Sequence, residues 1–196
     1  MSMWNELTLS QYIRLLDIEH NQQLNIVEKQ QKQLAVIENT DEEQYDNIKY
    51  RELIHLYNEK LAFLNELPNA PACDYIETKT RRYKFCFELS EITAGQYIDI
   101  STFSNNFINI NKIAACFFLP MEDDKYLAYG VIPHDKVAED LLDAKFIEVY
   151  GCMVFFYQLF KELISDTITS STITEQAKER LIRLWKDGDG FITQSK

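Results

Sequence analysis

The stretch "EITAGQYIDI", residues 91–100, decides how this chain is read. About eighty-five residues earlier the chain writes nearly the same phrase, "ELTLSQYIRL", residues 6–15. Each contains Thr-x-small-Gln-Tyr-Ile, at Thr8–Ile13 and at Thr93–Ile98. Thr followed three residues later by Gln is a capping box. The Thr hydroxyl accepts from the N–H three residues on, and the Gln side chain reaches back to the N–H of the cap. Both phrases are therefore predicted helix starts. The Tyr-Ile pair after each box is expected to face a core, with Leu9, Tyr12, Ile13 and Leu16 forming the first helical stripe.

The echo extends outward from the two boxes. "EKQQKQLAVI", residues 28–37, follows the first, and "NINKIAACFF", residues 109–118, follows the second. Both are predicted to be second helices of similar length. Long helical patterns come next, at 47–67 and at 136–164, the latter broken near Lys145 or Gly151. Thr40 and Glu43 suggest a third capping box. Duplication and chance similarity of short helix starts explain this degenerate repeat equally well.

Between the halves the texture changes. Pro68 and Pro71 stop a helix. Tyr75–Glu77 and Tyr83–Leu89 then alternate in period two around a polar turn, which predicts a β-hairpin. A further short strand is expected at 126–129. The expected fold is mainly α (α+β), with two helical lobes joined through the hairpin. The segments are 1–68, the N-terminal helical lobe; 69–90, linker and hairpin; 91–165, the C-terminal helical lobe; and 166–196, a Ser/Thr-rich linker with a terminal amphipathic helix. The expected cores are Leu9, Tyr12, Ile13, Leu16, Leu34, Ile37, Leu53, Leu56, Leu61 and Leu64 in the first lobe. In the second they are Tyr97, Ile98, Ile113, Cys116, Phe117, Leu141, Phe155, Leu159 and Leu163.

The totals agree with that reading. Of 196 residues, 46% are hydrophobic and 13% aromatic, enough to build a core; five Gly and four Pro are too few for a turn-rich sandwich or barrel. The net charge of −11 repels phosphate, so no nucleic-acid partner is expected. The concentrated basic cluster, Lys79, Arg81, Arg82 and Lys84, sits where the hairpin tip is predicted. The longest apolar runs fall short of the roughly 20 residues a membrane span needs, and the N-terminus lacks a signal-peptide pattern.

No residue set announces a reaction. Cys73, Cys86, Cys116 and Cys152 form no CxxC pair and are read as reduced thiols, and neither Cys73 nor Cys86 has an identified base. His20, His55 and His134 are scattered, with no HxxxH or HExxH arrangement. "DGDG", residues 187–190, lacks the remaining ligands of a calcium loop, and Glu122, Asp123 and Asp124 read as a solvated loop. No catalytic residue, cofactor or metal is expected. Two apolar features stand out. "VYGCMVFFYQLF", residues 149–160, is apolar nearly all round. It is either a central core helix or a contact using Phe155, Phe156 and Phe160. Leu181, Leu184 and Trp185 form a terminal stripe that docks on its own lobe or on a partner.

Taken together, "WNELTLSQYIRLLDI", "EKQQKQLAVI", "YRELIHLYNEKLAFLNELP", "YKFCFELSEITAGQYIDISTF", "NKIAACFFLP" and the run from Lys136 to Ile164 resemble a family of small proteins from the structural-gene region of tailed bacteriophages. Siphophages and crAss-like gut phages carry such proteins, and many resemble tail assembly chaperones. The likeness covers residues 4–165, and "TAGQYIDI" is its most specific element. It implies a non-enzymatic role in tail morphogenesis, binding the long helical tape-measure protein in the host cytoplasm during infection. Grooves between helical pairs would cover apolar surface that otherwise aggregates. A virion subunit of the head–tail connector or tail ring is the first alternative, with tube or connector subunits, or copies of itself, as partners. A host-directed binding protein, or an enzyme with an unrecognised site, is the second.

Overall fold

The structure, a computed structural model, describes residues 3–86, 91–104 and 107–169, with side chains given through Gln158 apart from Phe107. The first helix, α1 (Leu9–His20), starts where Thr8 ends the preceding extended segment. The Thr8 hydroxyl accepts from Gln11 N–H at 3.2 Å, and Gln11 Oε1 accepts from Thr8 N–H at 3.0 Å. The predicted box is present in full. Helix α2 (Ile26–Glu38) has its own box, in which Asn25 accepts from Val27 and Glu28, and Glu28 accepts from Asn25 N–H at 2.8 Å. It ends on Asn39, at φ 51°, a left-handed position that Asn tolerates better than most residues. The expected box at Thr40 is absent. Asp41 precedes a short 3-10 turn, Glu42–Tyr45, without a side-chain cap. Helix α3 (Tyr50–Leu61) closes the N-terminal layer and runs into a second 3-10 turn, Ala62–Asn65.

Buried Gln33 joins these three helices. Its Nε2 donates to Glu19 Oε2 at 3.1 Å on α1, and its Oε1 accepts from the Tyr57 hydroxyl at 2.8 Å on α3. A buried amide satisfied at both ends avoids a desolvation penalty and fixes the register of its neighbours.

Strands β1 (Tyr75–Glu77) and β2 (Arg82–Phe85) pair antiparallel as the predicted hairpin. The hairpin does not stand alone. β2 also pairs with β3 (Phe118–Glu122), and β3 with β4 (Lys125–Tyr126), giving an antiparallel sheet in the order β1-β2-β3-β4. The basic cluster is engaged around it. Lys79 meets Asp143 at 2.9 Å, Arg81 meets Asp140 at 3.4 Å, and Arg82 and Lys84 lie over the rings of Tyr75 and Tyr126. The acidic loop is a two-residue turn with both Asp123 and Asp124 at positive φ, as the twist of a tight hairpin requires.

Helix α4 (Ala94–Phe103) begins with the second predicted box, Thr93 with Gln96. Beyond the box the two segments differ. The segment expected to form a helix like α2 makes only a short α5 (Ile110–Ala114) before turning into β3. Phe117 to Leu119 are all buried, and a continuous apolar run suits a covered strand as well as a buried helix. Tyr97 and Ile98, expected inward, are 49% and 62% exposed.

Helix α6 (His134–Asp140) passes through a 3-10 turn (Leu141–Asp143) into α7 (Phe146–Thr169). The predicted break near Lys145 is therefore real, whereas Gly151 lies inside α7. That glycine answers a close approach. A Cβ there would sit 2.4 Å from the Pro71 carbonyl oxygen, so only glycine lets the 67–73 segment cross the helix.

The halves share one core. Leu9 N–H donates to Ala144 O and Phe146 N–H to Leu7 O, tying the entrance of α1 to that of α7. Tyr12 stacks on Phe146 with centroids 3.8 Å apart, and Trp4 packs on both rings. From there a continuous buried cluster runs through Leu34, Leu53, Ile76 and Tyr83 to Phe117, Leu141 and Phe156. The Tyr83 hydroxyl donates to Asp140 Oδ2 at 2.6 Å, fastening the sheet to α6.

Candidate functional site

A cleft of about 840 Å³ opens between α1, α2 and the 40–43 connection. The capping boxes that start α1 and α2 aim the two helices, and four-residue spacing brings one face of each to the opening. Ile13, Ile18 and Ile108 supply its apolar strip, over a floor of buried Ala35 and Val36. Ile108 comes from the far half of the chain. Arg14, Asp17, Lys32, Asp41, Glu42 and Glu43 supply its polar rim. Four carboxylates against two cations leave that rim acidic, and Lys32 is already paired with Glu42.

A second cluster carries the residue types of covalent chemistry. Cys116 Sγ lies 3.6 Å from His134 Nε2, and Tyr129 donates to Asp99 close by. The sequence offered no hint of this contact, because α5, β3 and the 127–133 loop bring the residues together from 18 positions apart. Its hydrogen bonds decide what it can do. His134 Nε2 is 2.8 Å from Lys112 O, and a carbonyl only accepts, so Nε2 carries the proton. That nitrogen cannot take a proton from Cys116. Burial, then the Asp99 charge, pushes the Cys116 thiol up to about 12. Burial likewise raises the Tyr129 hydroxyl, helped by its bond to Asp99. Phe103 stacks flat on the His134 ring with centroids 5.3 Å apart. The arrangement stabilises neutral groups and supplies no thiolate.

The predicted partner-contact residues fall in several places. Phe156 is buried, 4.0 Å from the Phe117 ring centroid. Phe155 is half-buried and packs edge-on to Phe85. The side chain of Phe160 lies outside the described residues, as do Leu159 and Leu163 of the expected core; Leu181, Leu184, Trp185 and the "DGDG" stretch lie outside them entirely. The cleft residues were missed, although alternation of apolar and charged residues at Ile13, Arg14, Asp17 and Ile18 marked a boundary face. Among the described residues no group of three or more His, Cys, Asp or Glu could hold a metal ion, and no helix is long and apolar enough to cross a membrane. Comparison with protein-family models, with curated proteins and with solved structures finds no match.

Proposed function

We propose that this chain is a non-enzymatic polypeptide-binding protein of bacteriophage tail morphogenesis, an assembly chaperone that holds a helical segment of the tape-measure protein in the α1–α2 cleft. The observation that carries the reading is a cleft in which a small apolar strip, led by Ile13, Ile18 and Ile108, lies beside an acidic rim. Apolar contact supplies affinity for one face of an amphipathic helix, while the carboxylates select basic flanks and reject acidic ones. A tape-measure chain exposes such faces along its length before the tube encloses it. The net charge of −11 would keep the loaded complex dispersed. Rim charges act chiefly on association rate, so binding should weaken with salt.

The test titrates purified protein with peptides tiling the tape-measure protein of the phage that encodes it. Binding by basic amphipathic segments, lost in Ile18→Asp and weakened in Glu42→Lys, supports the proposal. Absence of binding by every segment refutes it. Proteomics of intact particles gives a separate check. Multiple copies in the finished virion would reassign the chain to a connector or tail-ring subunit.

A further inference from the structure

Cys73 and Cys152 are 79 residues apart in sequence, yet their sulfurs lie 3.6 Å apart. Cys152 is buried on α7, and Cys73 is half-buried on the irregular 67–73 segment that crosses this helix. The crossing is tightly built. Cys73 N–H points at Cys152 Sγ at 3.4 Å, and the Cys152 thiol donates to Cys73 O at 3.3 Å. Next door, Gly151 admits the Pro71 backbone where any side chain would collide. A disulfide bond is about 2.05 Å long, so the sulfurs need to close by about 1.5 Å. Segment 67–73 belongs to no helix or strand and can supply that movement.

We propose that Cys73 and Cys152 are a reversible dithiol–disulfide pair, which fastens the 67–73 segment to α7 when the protein meets a low-molecular-weight disulfide oxidant. Cys73 attacks first, because it is the accessible sulfur of the two. Its thiolate displaces one sulfur of the oxidant, giving a mixed disulfide and releasing one thiolate, which takes up a proton. Cys152 then loses its proton and attacks the Cys73 sulfur. The protein disulfide forms and the second half of the oxidant leaves as a thiol. Two electrons and two protons have passed from the protein thiols to the oxidant. The acid strengths favour this order. Once Cys73 ionises, the Cys152 thiol can turn its one proton from Cys73 O to the Cys73 sulfur, which holds Cys73 below the ordinary thiol range, whereas contact with Cys73 and burial raise Cys152.

The experiment treats the full chain with oxidised glutathione, then alkylates, digests and maps the thiols by mass. The expected product is a Cys73–Cys152 linked peptide, with alkylation of Cys73 reduced about tenfold and reversed by dithiothreitol. The thermal midpoint of the oxidised chain should rise by roughly 5–10 °C, because the bond closes a long loop. In Cys152→Ser, glutathione should remain on Cys73 as a stable mixed disulfide; in Cys73→Ser, Cys152 should stay unmodified. A wild-type chain that gives no linked peptide, keeps glutathione on Cys73, or oxidises at Cys86 or Cys116 first would overturn the proposal. The wild-type mapping decides it even if a variant fails to fold.

Discussion

Two helix starts with nearly the same sequence meet different fates. At α1, Gln11 closes the box with Oε1 and donates through Nε2 to Val36 O at 3.0 Å. At α4, Gln96 closes the box in the same way and donates to Cys116 O at 2.7 Å. In both, one amide fixes the helix start and also ties it to backbone twenty or more residues on. The next residue separates them. Tyr12 is 9% exposed and stacked on Phe146, whereas Tyr97 faces outward. At α4 it is Gln96 that is buried, at 6% exposure. A capping box sets where a helix begins, but the neighbouring layer sets which face is covered. Here α7 covers the Tyr12 side, and no described element covers Tyr97.

The sharpest way to break this comparison is to truncate both tyrosines. Tyr12→Ala should lose about 3–5 kcal/mol of stability in urea unfolding, because a large ring leaves a packed aromatic cluster. Tyr97→Ala should change stability by less than about 0.5 kcal/mol. Equal losses would mean that Tyr97 is covered in solution.

Alkaline pH tests the same pair more gently, since a weak acid lies buried beside each box. Burial raises Tyr12 to about 12, with the neighbouring Tyr150 adding to the shift. Cys116, whose carbonyl Gln96 grips, is also raised to about 12. Each group stays protonated in the folded chain after it would have ionised in the unfolded one. The folded state then holds more protons, and stability falls as pH rises. The loss starts near pH 9 for the thiol and near pH 10 for the phenol, and runs to about 12. The slope approaches about 1.4 kcal/mol per pH unit for each group. Cys116→Ala should make the decline shallower from about pH 9 and Tyr12→Phe from about pH 10, each by one group's share, with raised Cys152, Tyr83 and Tyr129 supplying the rest, read from denaturation midpoints across that range.

A third experiment asks whether the two glutamines do equal work. Gln96→Ala should cost about 2–3 kcal/mol, because it strands the buried Cys116 carbonyl and opens the Thr93 box. Gln11→Ala should cost about 1 kcal/mol, since that site is only part-buried and water can replace the amide.

These contrasts show what could be read from residues alone. Both boxes, the hairpin and the break before α7 were legible, because each depends on side-chain to backbone bonds or turn geometry within a few positions. The fate of 109–118 was not. "IAACFFL" is apolar at every position, so no periodicity separates a buried helix from a covered strand. Pairing with β2 settled it in favour of the strand. Buried Gln96 and exposed Tyr97 invert the usual ranking of polar and aromatic residues, and only tertiary packing explains that. The cleft was half legible. The mixed face of α1 appears in the sequence, but Ile108 joins it from a distant segment. The meetings of Cys73 with Cys152 and of Cys116 with His134 depend on crossings that no spacing rule encodes.

The smallest expected effect lies at the tip between β3 and β4, and it concerns local strain without any change of packing. Asp123 and Asp124 hold φ values of 48° and 58°, left-handed conformations that cost a side-chain-bearing residue energy. Asp tolerates this better than most, and Gly best. Asp124→Gly should therefore stabilise the chain by about 0.5–1 kcal/mol, offset in part by the larger entropy of glycine in the unfolded state. It also removes one of three adjacent carboxylates, easing their mutual repulsion. The control is Asp124→Ala, which removes the same charge but keeps a Cβ. If both substitutions stabilise equally, charge is the cause. If only the glycine does, the gain comes from the backbone, and the tip is held at positive φ by its strands as the α1 and α4 starts are held by their boxes.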